Sequence, residues 1–290
     1  MAAKYTIEEI FEKTKAHLKG RASVDNPRLE AEYLIAHSLK CNRIDIYLKY
    51  NQIIGEEDLN LLRTNLARRA KGEPMAYILG TKGFYKNDFS VTPDVLIPRP
   101  ETELLVEEIC KIIEKMNWEN AIIADWGTGS GAIGLSLLTE FKTLKAHLVD
   151  ISPAALQIAT ANATKIGVSD RCFFINKDIF SLAPSQEHPS VDIIVGNPPY
   201  IPVGSKDVET WVAEYEPKEA LFSGEKGLDH LAAWINKAPH FLNQSGCLAL
   251  EHGFDQAQQV QDLFCNQGFV DVYSIKDLSG YQRHTVGFKK

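Results

Sequence analysis

The residues best suited to chemistry form one short run, Asn197-Pro198-Pro199-Tyr200. Two consecutive prolines fix φ and remove two backbone donors, so the chain there is extended and stiff. The run follows Asp192-Ile193-Ile194-Val195-Gly196, an apolar β-branched stretch that reads as a buried strand. Asn197 and Tyr200 are therefore expected on a rigid hook at a strand's carboxyl end, where open α/β sheets place their ligands. A plain turn would favour Gly or Asp, although the bare motif also fits a stiff loop. The hook's chemistry would be recognition of a planar nitrogen. An amide or exocyclic amine is a poor nucleophile because its lone pair is delocalised. The Asn197 side-chain oxygen and a proline carbonyl, with Pro198 the candidate and Pro199 beside it, can accept both of its N–H bonds. Such acceptors act most strongly where positive charge develops on the nitrogen. Tyr200 would stack on the planar group and hold it in line with its reaction partner.

A second constellation precedes the hook. Asp125-Trp126-Gly127-Thr128-Gly129-Ser130-Gly131-Ala132-Ile133-Gly134 satisfies G-x-G-x-x-G when read from Gly129, the dinucleotide fingerprint. Read from Asp125 it is D-x-G-x-G-x-G, the pattern of S-adenosylmethionine-dependent methyltransferases. Both need glycine where a ligand approaches the backbone. Asp150, 21 residues beyond Gly129, suits ribose hydroxyls in either case. Asp125 tilts the choice, because a carboxylate before the loop favours a cationic amino-acid moiety and repels a pyrophosphate. Asp178 offers an acceptor to an adenine amino group, with Ile179 as an apolar face for the ring. Each Asp alone also reads as an N-cap or turn residue. Three of them at the ends of three successive strands are harder to dismiss.

These residues require a particular scaffold. Buried strands are read at residues 121–125, 146–150, 172–175, 191–196 and 246–251, with later ones at 270–275 and 285–288. Helices are read between them at 132–140, 153–166, 227–241 and 255–267. The alternation predicts an α/β fold, a doubly wound, mostly parallel Rossmann-like sheet of the class I methyltransferase kind. Residues 5–72 read as helical, and Glu56 to Ala70 as one amphipathic helix ending among Arg63, Arg68, Arg69 and Lys71. Those cations fit a helix C-terminus or an anionic partner. Three domains are expected: a helical partner-recognition or lid domain at 1–74, a β-hairpin linker at 75–100 that includes Tyr77 to Gly80, and a catalytic domain at 101–290. Within Pro98-Arg99-Pro100-Glu101-Thr102-Glu103, Arg99 sits stiffly between prolines and Glu101 in the first turn of a helix, as a pocket wall would require.

Composition narrows the class. With 290 residues, 44% hydrophobic and 24% charged, the chain can bury a sizeable core. A net charge of −7 disfavours a protein that grips nucleic acid over its whole surface. No apolar run approaches the roughly 20 residues that span a bilayer, and the start lacks a signal-peptide core, so a cytoplasmic protein without membrane association is expected. The five scattered cysteines read as core thiols, without metal or disulfide framework. The eight dispersed histidines, His252 and His284 included, read as structural.

Taken together, these motifs resemble the glutamine N5-methyltransferases of peptide-chain release factors, the PrmC/HemK family. The resemblance runs through Gly72-Glu73-Pro74, Ile97 to Glu103, Asp125 to Gly131, Asp150-Ile151-Ser152, Asn197 to Tyr200, Glu216-Pro217 and Asp277-Leu278-Ser279-Gly280. It implies that Asp125, Gly127, Thr128, Gly129, Ser130, Gly131, Asp150, Asp178, Ile179 and Asn197 serve the cofactor, S-adenosylmethionine, which leaves as S-adenosylhomocysteine. It implies catalysis by Asn197, Pro198 and Tyr200, and a substrate site of Asn197 to Tyr200 with Arg99 and Glu101. The implied partner is a class 1 release factor, modified at the Gln of Gly-Gly-Gln by a monomeric enzyme with no direct nucleic-acid requirement and no metal. Trp126 departs from the family's smaller aliphatic residue. Asn-Pro-Pro-Tyr is shared with adenine-N6 methyltransferases, which remain the alternative, though such enzymes would carry a basic target-recognition region. A non-catalytic relative would show a damaged hook or loop, and an NAD-linked oxidoreductase is disfavoured by Asp125 and the paired prolines.

Overall fold

The computed structural model describes residues 4–183, 190–205 and 209–290. The chain forms two compact units, one ending at Gly80 and one running from Thr81 to Lys290. The first is helical: α1 (Ile7–Leu18), α2 (Pro27–Ser38), α3 (Asp45–Leu48), α4 (Glu56–Ala70) and α5 (Met75–Leu79). Helix α1 starts in a capping box between Thr6 and Glu9, and α2 starts with Asn26 capping and Pro27 in its first turn. Ile7, Ile10, Phe11, Leu34, Ile35 and Leu62 make the unit's core. The basic end of α4 is largely spoken for. Arg69 is buried against Glu30 at 2.7 Å and reaches the Ser23 carbonyl, and Arg68 pairs with Glu73 at 2.5 Å. These two ion pairs fasten the unit internally.

Tyr77 to Leu79, expected in a hairpin, are helical within α5, which Gly80 ends in the left-handed region. Pro74 sets the chain into that helical turn at its N-cap, a start signal that the apolar run hid. The hairpin itself consists of β1 (Thr81–Phe84) and β2 (Asn87–Ser90). It opens the second unit, which continues through α6 (Pro100–Met116), β3 (Ile122–Trp126), α7 (Ala132–Glu140), β4 (Lys145–Asp150), α8 (Pro153–Ile166), β5 (Cys172–Asn176) and β6 (Val191–Gly196). It closes with α9 (Thr210–Tyr215), α10 (Asp229–Lys237), β7 (Leu242–Glu251), α11 (Ala257–Asn266), β8 (Phe269–Lys276) and β9 (Gln282–Lys289).

The seven-stranded sheet has the order β5-β4-β3-β6-β7-β9-β8. Strands β3 to β7 are parallel, and β9 and β8 are antiparallel additions at one edge. Near-continuous apolar strands follow from burial on both faces. Ile123, Ile193, Val195 and Ala249 pack on one side with α6 and α7, while Ala124, Ile194 and Leu248 pack on the other with α10 and α11. Each fully buried Ile or Val contributes about 1.5–3 kcal/mol. Chain order reverses between β3 and β6, so a crevice opens at their carboxyl ends. Among the described residues, no helix is long and apolar enough to cross a membrane.

Candidate active site

A cavity of about 610 Å³ lies in the second unit where β3, β4 and β6 end, a size ordinary for a small-molecule site. The loop from β3 to α7 forms one wall. Gly127 and Thr128 both donate their N–H groups to the Val149 carbonyl, at 2.8 and 3.0 Å, so the loop is bolted to the neighbouring strand. Gly127 has φ +67°, and a Cβ there would stand 2.8 Å from the Trp234 ring. Gly129 donates to Asp150 Oδ2 at 2.8 Å, and a Cβ on it would meet no protein atom. That leaves its backbone open to a ligand.

The three acids divide their work. Asp150 lines the cavity, with Oδ2 accepting from Gly129 and Oδ1 from Ser152 at 2.9 Å, so each oxygen keeps a lone pair. Burial raises its carboxyl above the ordinary value, opposed by these backbone donors. Asp178 also lines the cavity; its Oδ1 accepts from Phe180 N at 2.9 Å, and Ile179 packs beside it. Asp125 is different, because it lies beneath the loop rather than in the wall. Its Oδ2 accepts from Thr128 Oγ1 at 2.7 Å and from Gly134 N at 2.9 Å. Burial pushes this carboxyl up to about 7 against those two bonds, and Oδ1 has no hydrogen-bond partner among the described residues. The direct contact with a cationic group expected of Asp125 gives way to support of the loop. The reason is strand alternation, which turns its side chain toward α7, where Gly134 leaves room.

The hook forms the opposite wall. Asn197 and Pro199 line the cavity, and the Asn197 side chain makes no hydrogen bond among the described residues. Pro198 is buried behind them. Tyr200, expected to stack in the site, is outside the lining; its hydroxyl donates to Glu251 Oε1 at 3.2 Å and its carbonyl accepts from Gln256 Nε2 at 3.0 Å. Burial, with the Glu251 charge adding to it, raises the Tyr200 phenol far above its ordinary value. Arg99 does line the cavity and pairs with the buried Glu216 at 2.5 Å, whose other oxygen accepts from Ile97 N at 3.2 Å. Glu101, expected beside it, is exposed in the first turn of α6 and outside the lining. Gly131 likewise lies behind the wall, while Thr128 and Ser130 are in it.

Both units of the chain match known proteins. The model of the PrmC N-terminal domain fits residues 9–80, and that of the methyltransferase small domain fits residues 100–214. A release factor glutamine methyltransferase of Coxiella burnetii is 40% identical over 90% of this chain and 91% of its own. One from Geobacter sulfurreducens is 36% identical over 96% and 95%, respectively. The chain belongs to the release factor glutamine methyltransferase family. A solved 16S rRNA N2 G1207 methyltransferase of T. thermophilus, in complex with AdoMet and guanosine, shares the fold at TM-score 0.51. It is 18% identical over 72% of this chain and 50% of that one.

In this methyltransferase several site residues escaped sequence reasoning. Trp234 from α10 lines the cavity and supports Gly127, and it meets the unexpected Trp126 edge-on at 6.0 Å. Trp126 also meets Phe241 edge-on at 5.6 Å, so the three rings pack together behind the loop. No local pattern announces Trp234. His230 stands beside Asp178 and Phe180, its Nδ1 2.7 Å from Ser223 Oγ, and burial lowers its basicity. Glu251 carried a usable signal, a carboxylate ending a parallel strand, the same sign that marks Asp125 and Asp150.

Proposed function

We propose that this methyltransferase moves a methyl group from S-adenosylmethionine to the side-chain amide nitrogen, N5, of the glutamine in the Gly-Gly-Gln motif of class 1 peptide chain release factors. The observation that carries this reading is the Asn197 amide, without a hydrogen-bond partner among the described residues, facing the same cavity as Asp150 and the open Gly129 backbone. A planar amide matches such an acceptor. The donor side fits a nucleoside with a cationic tail. Asp150 offers two carboxylate lone pairs to ribose hydroxyls, Asp178 and Ile179 suit an adenine, and the acidic lining of Asp94, Asp150, Asp178 and Glu219 outweighs Arg99. That balance repels a pyrophosphate and attracts a sulfonium.

The bound donor would supply an electrophilic methyl carbon on a positively charged sulfur. The chain's own work is orientation. Asn197 Oδ1 accepts one amide N–H, a carbonyl of the hook accepts the other, and the nitrogen lone pair is turned toward the methyl group. The new bond is N–CH3, the broken one is S–CH3, and the nitrogen proton, acidic only after alkylation, leaves to water. No tuned general base is needed. The test is a labelled-methyl assay with the full chain and three acceptors: a class 1 release factor, its glutamine-to-alanine variant and a DNA duplex. Label is expected on the first alone. Methylated DNA with unlabelled release factor would overturn the reading in favour of an adenine-N6 enzyme.

A further inference from the structure

Behind the hook lies a buried carboxylate that neither half of the transfer uses directly. Glu251 ends β7 and is 1% exposed. Its Oε1 accepts from the Tyr200 hydroxyl at 3.2 Å, and its Oε2 from Thr102 Oγ1 at 2.6 Å. Thr102 itself lines the cavity, in the first turn of α6 next to Arg99. Directly across the β7–β9 ladder sits His284, whose Nε2 is 3.4 Å from Oε2. That histidine is fully buried, and neither ring nitrogen has a well-formed hydrogen bond among the described residues. An ionised carboxylate at such a place costs several kcal/mol of desolvation, which an apolar side chain would avoid. Burial alone would raise its carboxyl, yet His284, Thr102 and Tyr200 outweigh burial and hold it below its ordinary value.

The hook explains why a charge is kept there. Pro198 and Pro199 contribute no N–H, so the segment carrying Asn197 has few donors with which to anchor itself. Its anchor falls to Tyr200, through the carbonyl bond from Gln256 and the hydroxyl bond to Glu251. We infer that Glu251, backed by His284, is a positioning residue for methyl transfer: one oxygen holds the acceptor hook through Tyr200 and the other holds the facing cavity wall through Thr102. The inference rests on the proposed reaction, and a glutamine amide would enter between the two walls that this carboxylate joins.

Glu251→Gln keeps the shape and leaves one acceptor oxygen for two hydroxyl donors. Because displacement of about 1 Å at a reacting group costs on the order of a hundredfold, kcat for release-factor methylation is expected to fall roughly ten- to a hundredfold. Cofactor affinity, measured by calorimetry, should stay within about twofold, since the Gly127 to Asp150 side is untouched. Thr102→Val should lower kcat in the same way, and Thr102→Ser should recover most of the loss. A second readout needs no turnover: the ring Cζ resonance of 13C-labelled Tyr200 should move in Glu251→Gln. Unchanged kcat, or kcat and cofactor affinity falling by one common factor as packing damage would cause, overturns the inference. A wild-type chain that leaves release factors unmethylated overturns the functional reading instead, and an unmoved Tyr200 resonance then still overturns this one.

Discussion

The two walls of the cavity are held in place by opposite means. On the donor side, Asp125 and Asp150 accept from groups close beside them, the Thr128 hydroxyl and the backbone N–H groups of Gly129, Gly134 and Ser152. On the acceptor side, Tyr200 is tied to Glu251 and Gln256, 51 and 56 residues later in the chain. The glycine loop is thus a local device, shaped by its own residues and the strand next to it. The Pro-Pro hook is rigid along its length and is fixed laterally by Glu251 and Gln256 side chains and, one residue on, by backbone bonds of Ile201 with Leu221 and Ser223, all from distant elements. A local device fails by losing its ligand, whereas a remotely tethered one fails by aiming badly while the ligand still binds.

The largest effect should come from the hook's own tip. On the proposed reaction, Asn197→Ala removes the acceptor for the nitrogen that gains charge, and loss of one such preorganised group is worth about 10²–10³ in kcat. Turnover on a release factor should therefore drop by at least about a hundredfold, while cofactor binding stays measurable by calorimetry. Undiminished turnover would remove Asn197 from the mechanism. A matched glycine pair then separates the two walls. Gly127→Ala forces a Cβ to 2.8 Å from the Trp234 ring at φ +67°. Gly227→Ala, at φ +73°, forces one to 2.1 Å from the Tyr200 carbonyl oxygen and 2.7 Å from Gln256 Nε2. Strain of this kind costs about 1–3 kcal/mol. For Gly127→Ala it should emerge as cofactor binding weakened about tenfold. For Gly227→Ala it should emerge in kcat at nearly constant cofactor affinity. If both variants lost cofactor affinity equally, the contrast between the walls would collapse.

The same contrast explains what could be read from residues alone. The mostly parallel sheet and the helices α7, α8 and α11 were legible because buried parallel strands and amphipathic helices leave contiguous patterns. The cavity-lining places of Gly127 to Ser130, Asp150, Asp178 and Ile179 were legible because they follow from position at strand ends. Asp125 was seen, but its direction was not: which face a strand-end side chain takes depends on the register with β4 and on the gap at Gly134. Tyr200 was seen, but its tether was not, because Glu251 and Gln256 come from elements whose approach only the folded sheet creates. Trp234 carries no motif at all, and Thr102 lies within a motif whose charged residues drew the attention instead. The Tyr77 to Leu79 run was misjudged for a simpler reason, since a run of that length has no period and Pro74 decides its conformation.

The last expected effect, read in stability and not in turnover, concerns how the two walls answer pH. The folded Asp125 carboxyl sits at about 7, above its ordinary 3.8, so the folded chain holds this proton more tightly than the unfolded one. Its contribution to stability is complete below about pH 4 and is lost as pH rises toward about 7, with a slope approaching 1.4 kcal/mol per unit. Asp125→Asn does not titrate. The difference in urea-derived stability between wild type and this variant should therefore decline across that window and flatten above it. A difference independent of pH would show that Asp125 stays ionised under the loop. Glu251 carries the opposite sign, because its folded carboxyl lies below its ordinary 4.5. Its contribution is present above that value and fades as pH falls through the folded pKa. Falling pH should thus remove the stability contribution of Glu251 while keeping that of Asp125, and rising pH should remove that of Asp125 while keeping that of Glu251.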